Sequence, residues 1–141
     1  MNVTVDLNVL LDVAQNRTPH YAASEEVLHR ARLGEFAAML PGHALTTLHY
    51  LIEKHSGTAL ADETIDGLLA DFDIHPVSKP DFQRARQMPL KDFEDAVVAA
   101  VAEAGGSQYI VTRNGADFSG SPVPAITPAE FLEELASIEP E

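Results

Sequence analysis

A short apolar run, Val3-Thr4-Val5, ends at Asp6, and residues 7–13 can turn straight into a helix. The β-branched residues favour a strand, so Asp6 stands where a strand hands over to a helix. In open α/β sheets, ligands gather at the carboxyl ends of the strands. A carboxylate there, with no lysine or arginine before Arg17, has the character of a metal ligand rather than a salt-bridge partner.

The rest of the chain repeats the alternation. Asn16-Arg17-Thr18-Pro19 breaks the first helix, and a longer one is expected over 20–32, where Ala23, Val27, Leu28 and Ala31 keep a helical period. Gly34 supplies its stop. Residues 36–40 read as a second strand, closed by Pro41-Gly42. Leu45, Leu48, Leu51 and Ile52 mark another helix that stops near Gly57, and 58–71 is helical with Ile65, Leu68 and Leu69 turned inward. A short strand over 72–77 is interrupted by Pro76, and a helix follows over 80–87. Residues 92–104 give one of the clearest helices, with Phe93, Val97, Ala100, Val101 and Ala104 on one face and Gly105-Gly106 at its end. Tyr109-Ile110-Val111-Thr112 is a buried-type strand, and 123–126 is a weak one. The last helix starts at Thr127 or Pro128, with Thr127 as its cap and Glu130 reciprocating. Strands alternating with helices point to a parallel sheet covered on both faces, an α/β/α sandwich. A length of 141 residues suits one domain, taken as 1–141.

Composition narrows the chemistry. There are no cysteines, which removes disulfides, thiolate zinc sites and cysteine nucleophiles together. No apolar run approaches the roughly 20 residues of a membrane span, and the start of the chain lacks the basic residues of a signal peptide. A cytoplasmic location with no membrane partner is expected. Twenty-two acids against nine bases give a net charge of −13. That balance opposes broad, non-specific nucleic-acid binding, which needs cations to displace counterions. It still permits a nucleic-acid enzyme, because carboxylates gathered around metal ions invert the local field. It also suits docking by a basic partner, although solubility alone accounts for most of the surface charge.

Three places put acids at the ends of elements. Asp6 follows the first strand. Asp92 and Asp95 open a helix, and their three-residue spacing sets them on neighbouring positions of one face. Asp117 sits in Arg113-Asn114-Gly115-Ala116-Asp117-Phe118, just after the 109–112 strand. Each has an ordinary explanation: Asp92 and Asp95 as a cap and a dipole partner, Asp117 as a turn residue, and Asp12 as a helix-end acid. Together they form an oxygen-rich group of the kind hard divalent cations take. Without a cation, such acids raise one another's pKa values.

The run Asp6-Leu7-Asn8-Val9-Leu10-Leu11-Asp12, the block Asp92-Phe93-Glu94-Asp95-Ala96 and the segment Val111-Thr112-Arg113-Asn114-Gly115-Ala116-Asp117-Phe118 resemble a PIN domain. Their order matches, as does the closing Ile126-Thr127-Pro128-Ala129-Glu130-Phe131-Leu132, so the likeness covers nearly the whole chain. Small stand-alone PIN proteins of this length resemble the toxins of VapBC-type toxin–antitoxin modules. The resemblance implies a three-layer α/β/α sandwich with a central four- or five-stranded parallel sheet. It implies a metal-dependent endoribonuclease using Mg2+ or Mn2+, a homodimer and an RNA substrate, and the acidic surface of the chain adds the expectation of a basic antitoxin. Carried over by position, Asp6 matches the first family acid, Asp95 the third and Asp117 the fourth, with Asn114 standing where many relatives place that last aspartate. Thr112 matches the hydroxyl lining the same pocket, and Asn8 a polar position steadying the first acid; in the resembled mechanism Asp92 joins through water or positions Asp95. The second family acid, a helical glutamate, is replaced by His49 in Thr46-Thr47-Leu48-His49, with Glu53 one turn later. His49 can bind manganese or touch phosphate, or be an ordinary packed histidine. Arg113 is the nearest candidate to hold substrate phosphate, with Lys91 and Arg84 behind it.

His49 and Asn114 support a competing reading, a catalytically weakened PIN-fold module that binds RNA or protein. Phosphoryl-transfer scaffolds fit less well. A receiver domain needs an acidic pair after its first strand, and a haloacid dehalogenase-like phosphatase needs Asp-x-Asp, whereas this chain has Asp6-Leu7-Asn8.

Overall fold

A computed structural model describes residues 1–138. Five strands, β1 (Asn2–Val5), β2 (Ala37–Pro41), β3 (Asp73–His75), β4 (Tyr109–Val111) and β5 (Ala125–Ile126), form one sheet. Their order is β3-β2-β1-β4-β5, and every pairing is parallel. Between them lie α1 (Leu7–Ala14), α2 (Tyr21–Arg32), α3 (Ala44–Ser56), α4 (Thr58–Asp71), α5 (Lys79–Ala85) and α6 (Phe93–Ala104), and α7 (Pro128–Ile138) follows. The expected α/β sandwich is present, with five strands. Among the described residues, no helix is long and apolar enough to cross a membrane.

Strand order makes β1 and β4 neighbours, in the register Thr4↔Ile110 and Val5↔Val111. Side chains alternate across a sheet, and the core divides accordingly. Val3, Val5 and Val111 pack with α1, α2, α3, α4 and α7 residues such as Val9, Leu28, Leu48, Leu68 and Phe131. Ile110 faces the other way, into a cluster built on α6. There the continuous run Ala96-Val97-Val98-Ala99-Ala100-Val101-Ala102 is buried. Small side chains let α6 lie close against the sheet, which fixes where its N-terminus emerges.

Several boundaries differ from the sequence pattern, each for a local reason. The strand expected over 72–77 contracts to Asp73–His75, because Phe72 still donates its N–H to Leu68 O and closes α4. Gly57, at φ +93°, separates α3 from α4 in a backbone conformation that side chains resist. Thr127 and Glu130 form the expected reciprocal cap: Thr127 N and Oγ1 donate to Glu130 Oε1, and Glu130 N donates to Thr127 Oγ1.

Gly105 has a role beyond stopping α6. Thr4, on the α6 side of β1, bonds His75 Nε2 at 3.0 Å and Ser107 Oγ at 2.7 Å, so three buried polar side chains satisfy one another. Burial lowers the His75 pKa, partly offset by the Asp81 charge. A Cβ at position 105 would lie 2.1 Å from His75 Cε1. Gly105→Ala is therefore expected to cost about 2 kcal/mol by overpacking, lowering Tm by several degrees. Gly67→Ala in α4, where an added Cβ meets nothing within 4 Å, should instead stabilise by about 0.5–1 kcal/mol. Thermal melts of both variants check this; equal effects would show that the His75 contact does not constrain position 105.

Candidate active site

The carboxyl ends of β1 and β4 and the N-terminus of α6 meet at one end of the sheet. Asp6, at the end of β1, is 6% exposed. Its N–H donates to Val111 O, extending the β1–β4 ladder by one bond. Its carboxylate accepts from Leu7 N through Oδ1 and from Thr112 Oγ1 through Oδ2, both at 2.9 Å. The first bond caps α1, so the strand-to-helix handover visible in the sequence is built around this side chain.

Thr112 ties the surrounding backbone together. Its hydroxyl accepts from Asn8 Nδ2 and from Asn114 N, both at 3.1 Å. Asn8 Oδ1 in turn accepts from Arg113 N. Asn8, Thr112 and Asn114 thus hold Asp6 and the segment leading to Asp117 in one hydrogen-bonded unit.

On the α6 side, Asp92 caps the helix by accepting from Asp95 N at 2.9 Å. Asp92, Asp95 and Asp117 line a cleft of about 430 Å³ with Pro89, Leu90, Lys91, Ala116 and Ser119. Asp117 enters it from a 3-10 turn, Gly115–Phe118. Burial pushes the Asp6 carboxyl up against the pull of its two hydrogen bonds, and the charges of Glu94 and Asp117 add to the rise. Asp95 is pushed up to about 7, first by burial, then by Asp6, Asp92, Asp117 and Glu94. The acids read from the sequence therefore share one electrostatic neighbourhood, and Glu94 belongs to it as well.

The side chains interact electrostatically without forming a compact cluster. Among the described residues, no three His, Cys, Asp or Glu groups stand close enough to make a ready-formed ion cluster. The donor set nevertheless suits a hard divalent cation: it consists of carboxylate oxygens, and its raised pKa values record a repulsion that a cation would relieve.

Two expectations from the sequence are corrected by where the side chains go. Arg113 does not face the acids. Its Nε forms an ion pair with Asp12, which is fully buried, and the residue lines a separate cavity with His20, Ser24, Thr127 and Pro128. Asp12 is accordingly a buried partner rather than a loose helix-end acid. His49 bonds Asp62 Oδ1 of α4 at 2.7 Å, away from the cleft. The histidine facing α6 is His43, at the start of α3, whose Nε2 lies 3.3 Å from Glu94 O. Six residues of α-helix turn through about 600°, so the two histidines cannot share a face. The sequence signal for His43 was available: it closely follows β2, whose carboxyl end lies beside that of β1. Glu53, the other acid considered on α3, accepts from Thr58 Oγ1 at an exposed position. Of the remaining bases, Lys91 lines the cleft, while Arg84 is paired with Glu103.

The sequence profile of the PIN domain family matches residues 2–116. The chain belongs to the PIN domain family. Its match spans Asp6, Asp92, Asp95 and Thr112 and stops one residue before Asp117. Ribonuclease VapC1 of Aquifex aeolicus is 25% identical to it over 137 residues, 93% of each chain. The VapBC2 structure from Rickettsia felis, bound to a DNA fragment from their promoter, has a TM-score of 0.71 at 15% identity, over 90% of this chain and 98% of that one. VapC20 of Mycobacterium tuberculosis, described as a sarcin-ricin loop cleaving toxin, has a TM-score of 0.69 at 17% identity, over 86% and 95%. At those identities the two structures share the PIN fold.

The carboxyl repulsion in this PIN cleft has a measurable sign. Asp95 titrates near 3.8 in the unfolded chain and at about 7 when folded. Its contribution to stability is full below about pH 4 and is lost as pH rises through 7. Buried His75 acts in the opposite sense, because its lowered pKa costs stability as pH falls below about 6.5. The difference between variant and wild type isolates Asp95. In chelator-containing buffer, Asp95→Asn should gain several degrees of Tm over wild type at pH 8, shrinking towards zero near pH 4.5. A difference independent of pH would contradict the assignment.

Proposed function

We propose that this protein is a divalent-metal-dependent endoribonuclease, acting as the toxin of a type II toxin–antitoxin pair. The observation that carries the reading is the meeting of Asp6, Asp95 and Asp117 at the carboxyl ends of β1 and β4, in a chain of the PIN family. A relative spanning 93% of the chain that is named a ribonuclease supports it.

In this reading Asp6, Asp95 and Asp117 hold Mg2+ or Mn2+, and Asp92 positions Asp95 through the α6 cap. When bound, the ion supplies positive charge against the scissile phosphate and makes water a stronger nucleophile. The chain's own residues prepare the place. Thr112, held by Asn8 and Asn114 N, orients Asp6 through its hydroxyl proton. Burial on the β1–β4 junction keeps bulk water from screening that carboxylate. Lys91, beside the acids, offers its ammonium to a phosphate flanking the scissile one. The likeness to solved toxin–antitoxin complexes supports a protein partner. A net charge of −13 fits a basic one. An apolar groove lined by Leu10, Val13, Leu28, Leu60 and Leu68 offers it a surface, and exposed Leu33 and Leu69 leave apolar area for a homodimer.

A second reading, a PIN module that binds RNA without cutting it, is favoured by one observation. Among the described residues, α3 sends no carboxylate into the cleft.

Purified protein is expected to cleave a mixed RNA pool in Mn2+ or Mg2+, to stop when chelator is added, and to lose at least about 100-fold in rate on Asp6→Asn, the scale of removing a group that acts on transition-state charge. RNA retained but uncut by wild type in either metal would establish the binding module instead. Equal cleavage by wild type and Asp6→Asn would overturn the enzyme reading.

A further inference from the structure

We infer that Phe93, Phe82 and Arg86 form a stacking subsite for an unpaired nucleobase of RNA, immediately beside the acidic cleft; this rests on the ribonuclease reading above. Phe93 is the first residue of α6, directly after the cleft residue Asp92. It remains 46% exposed, and Phe82 on α5 is 39% exposed. The two rings lie 6.1 Å apart between centroids and are tilted by 36°. The Arg86 guanidinium sits 5.8 Å from the Phe93 centroid. Neither ring is buried in the cluster that α6 builds against the sheet, so core packing does not account for this aromatic pair.

Cations concentrate in the segment that carries Phe82. Four of the chain's nine lysines and arginines, Lys79, Arg84, Arg86 and Lys91, fall within residues 79–91, with Asp81 the one acid there. Asp81 is occupied in capping α5, accepting from Ser78 N and Oγ. Arg84 is paired with Glu103. Arg86 and Lys91 form no ion pair with any described residue, and Lys91 reaches the cleft. A protein of net charge −13 thus gathers four of its nine cations in the segment beside this aromatic pair, on the rim of the cleft, where the acids Asp92, Glu94 and Asp95 flank Phe93 in sequence.

Exposed aromatic rings beside free cations are the elements of single-strand recognition: bases stack on the rings and phosphates meet the cations. A duplex cannot use such rings, since its bases are already stacked and its sequence-bearing groove is closed to side chains. The subsite therefore favours an unpaired nucleotide next to the scissile phosphate, and it tolerates any base, because every base has a stacking face.

The test uses full-length protein, an unstructured RNA 12-mer carrying 2-aminopurine at successive positions, and a hairpin in which the same bases are paired. Binding is measured on the Asp6→Asn background and cleavage on the otherwise wild-type chain. Phe93→Ala is expected to weaken 12-mer binding roughly tenfold, the size of one lost base–aromatic stack, and to raise KM with little change in kcat. It should remove 2-aminopurine quenching at one position, and an abasic site there should erase the difference between variant and parent. Phe93→Trp should restore affinity and quenching, and Phe82→Ala should give a smaller loss of the same kind. Hairpin binding should be weaker than 12-mer binding in the parent and unaffected by Phe93→Ala. RNA cleavage by wild type with unchanged KM, affinity and quenching in both alanine variants would overturn the subsite and leave the ribonuclease reading standing. So would a Phe93→Ala protein that changes oligomeric state at unaltered RNA affinity. Failure of wild type to cleave and of the Asp6→Asn protein to bind the 12-mer would overturn both.

Discussion

The hydrogen bond from Thr112 Oγ1 to Asp6 Oδ2 joins the carboxyl ends of two neighbouring strands at the place where the chain's acids converge. Everything that positions the site passes through this bond or lies next to it. On one side Asp6 caps α1 through Leu7 N and extends the β1–β4 ladder through its own N–H. On the other, Thr112 receives Asn8 and Asn114 N and so places the turn that carries Asp117. A buried carboxylate without such donors would carry the full cost of desolvation. Here two donors hold it in place as an acceptor, with lone pairs left for a ligand.

The site is then an electrostatic conflict set up by the fold. The small side chains of α6 let the helix lie against the sheet, and that brings Asp92, Glu94 and Asp95 up to Asp6 and Asp117. Hydrogen bonds lower the Asp6 pKa, but burial and neighbouring charge outweigh them, and Asp95, with less compensation, rises to about 7. Folding energy elsewhere sustains this arrangement, notably in the satisfied Thr4–His75–Ser107 group on the α6 face of β1. Active sites characteristically hold such locally unfavourable groupings, which ligands relieve.

Sequence reasoning reached the features that depend on local chemistry. The β-branched run before Asp6, the Thr127–Glu130 cap and the Asp92 cap are each decided within a few residues, and they appear as expected. The parallel sheet followed from the alternation of strands and helices. What the pattern could not show was which way a side chain turns once helices pack. His49 and His43 lie on one helix, and only the docking of α3 against α4 and α6 assigns one to Asp62 and the other to Glu94. Arg113 sits two residues beyond β4, close in sequence to the acids, yet it pairs with buried Asp12 and lines a different cavity. Phe82, Phe93 and Arg86 escaped for the same reason: Phe93 fits the inner face of an ideal α6, yet as the first residue of the helix it stays exposed.

The central claim is that repulsion among these carboxylates is relieved by a divalent cation, and proton release on binding tests it most directly. A cation entering a site with Asp95 near 7 must displace the protons that group still carries. Calorimetric titration of Mn2+ in buffers of different ionisation enthalpy should show protons released on binding at pH 7, and fewer at pH 8.5. Asp95→Asn should bind more weakly and release fewer protons than wild type. Binding of Mn2+ at pH 7 without proton release, or no binding at all, would contradict the account.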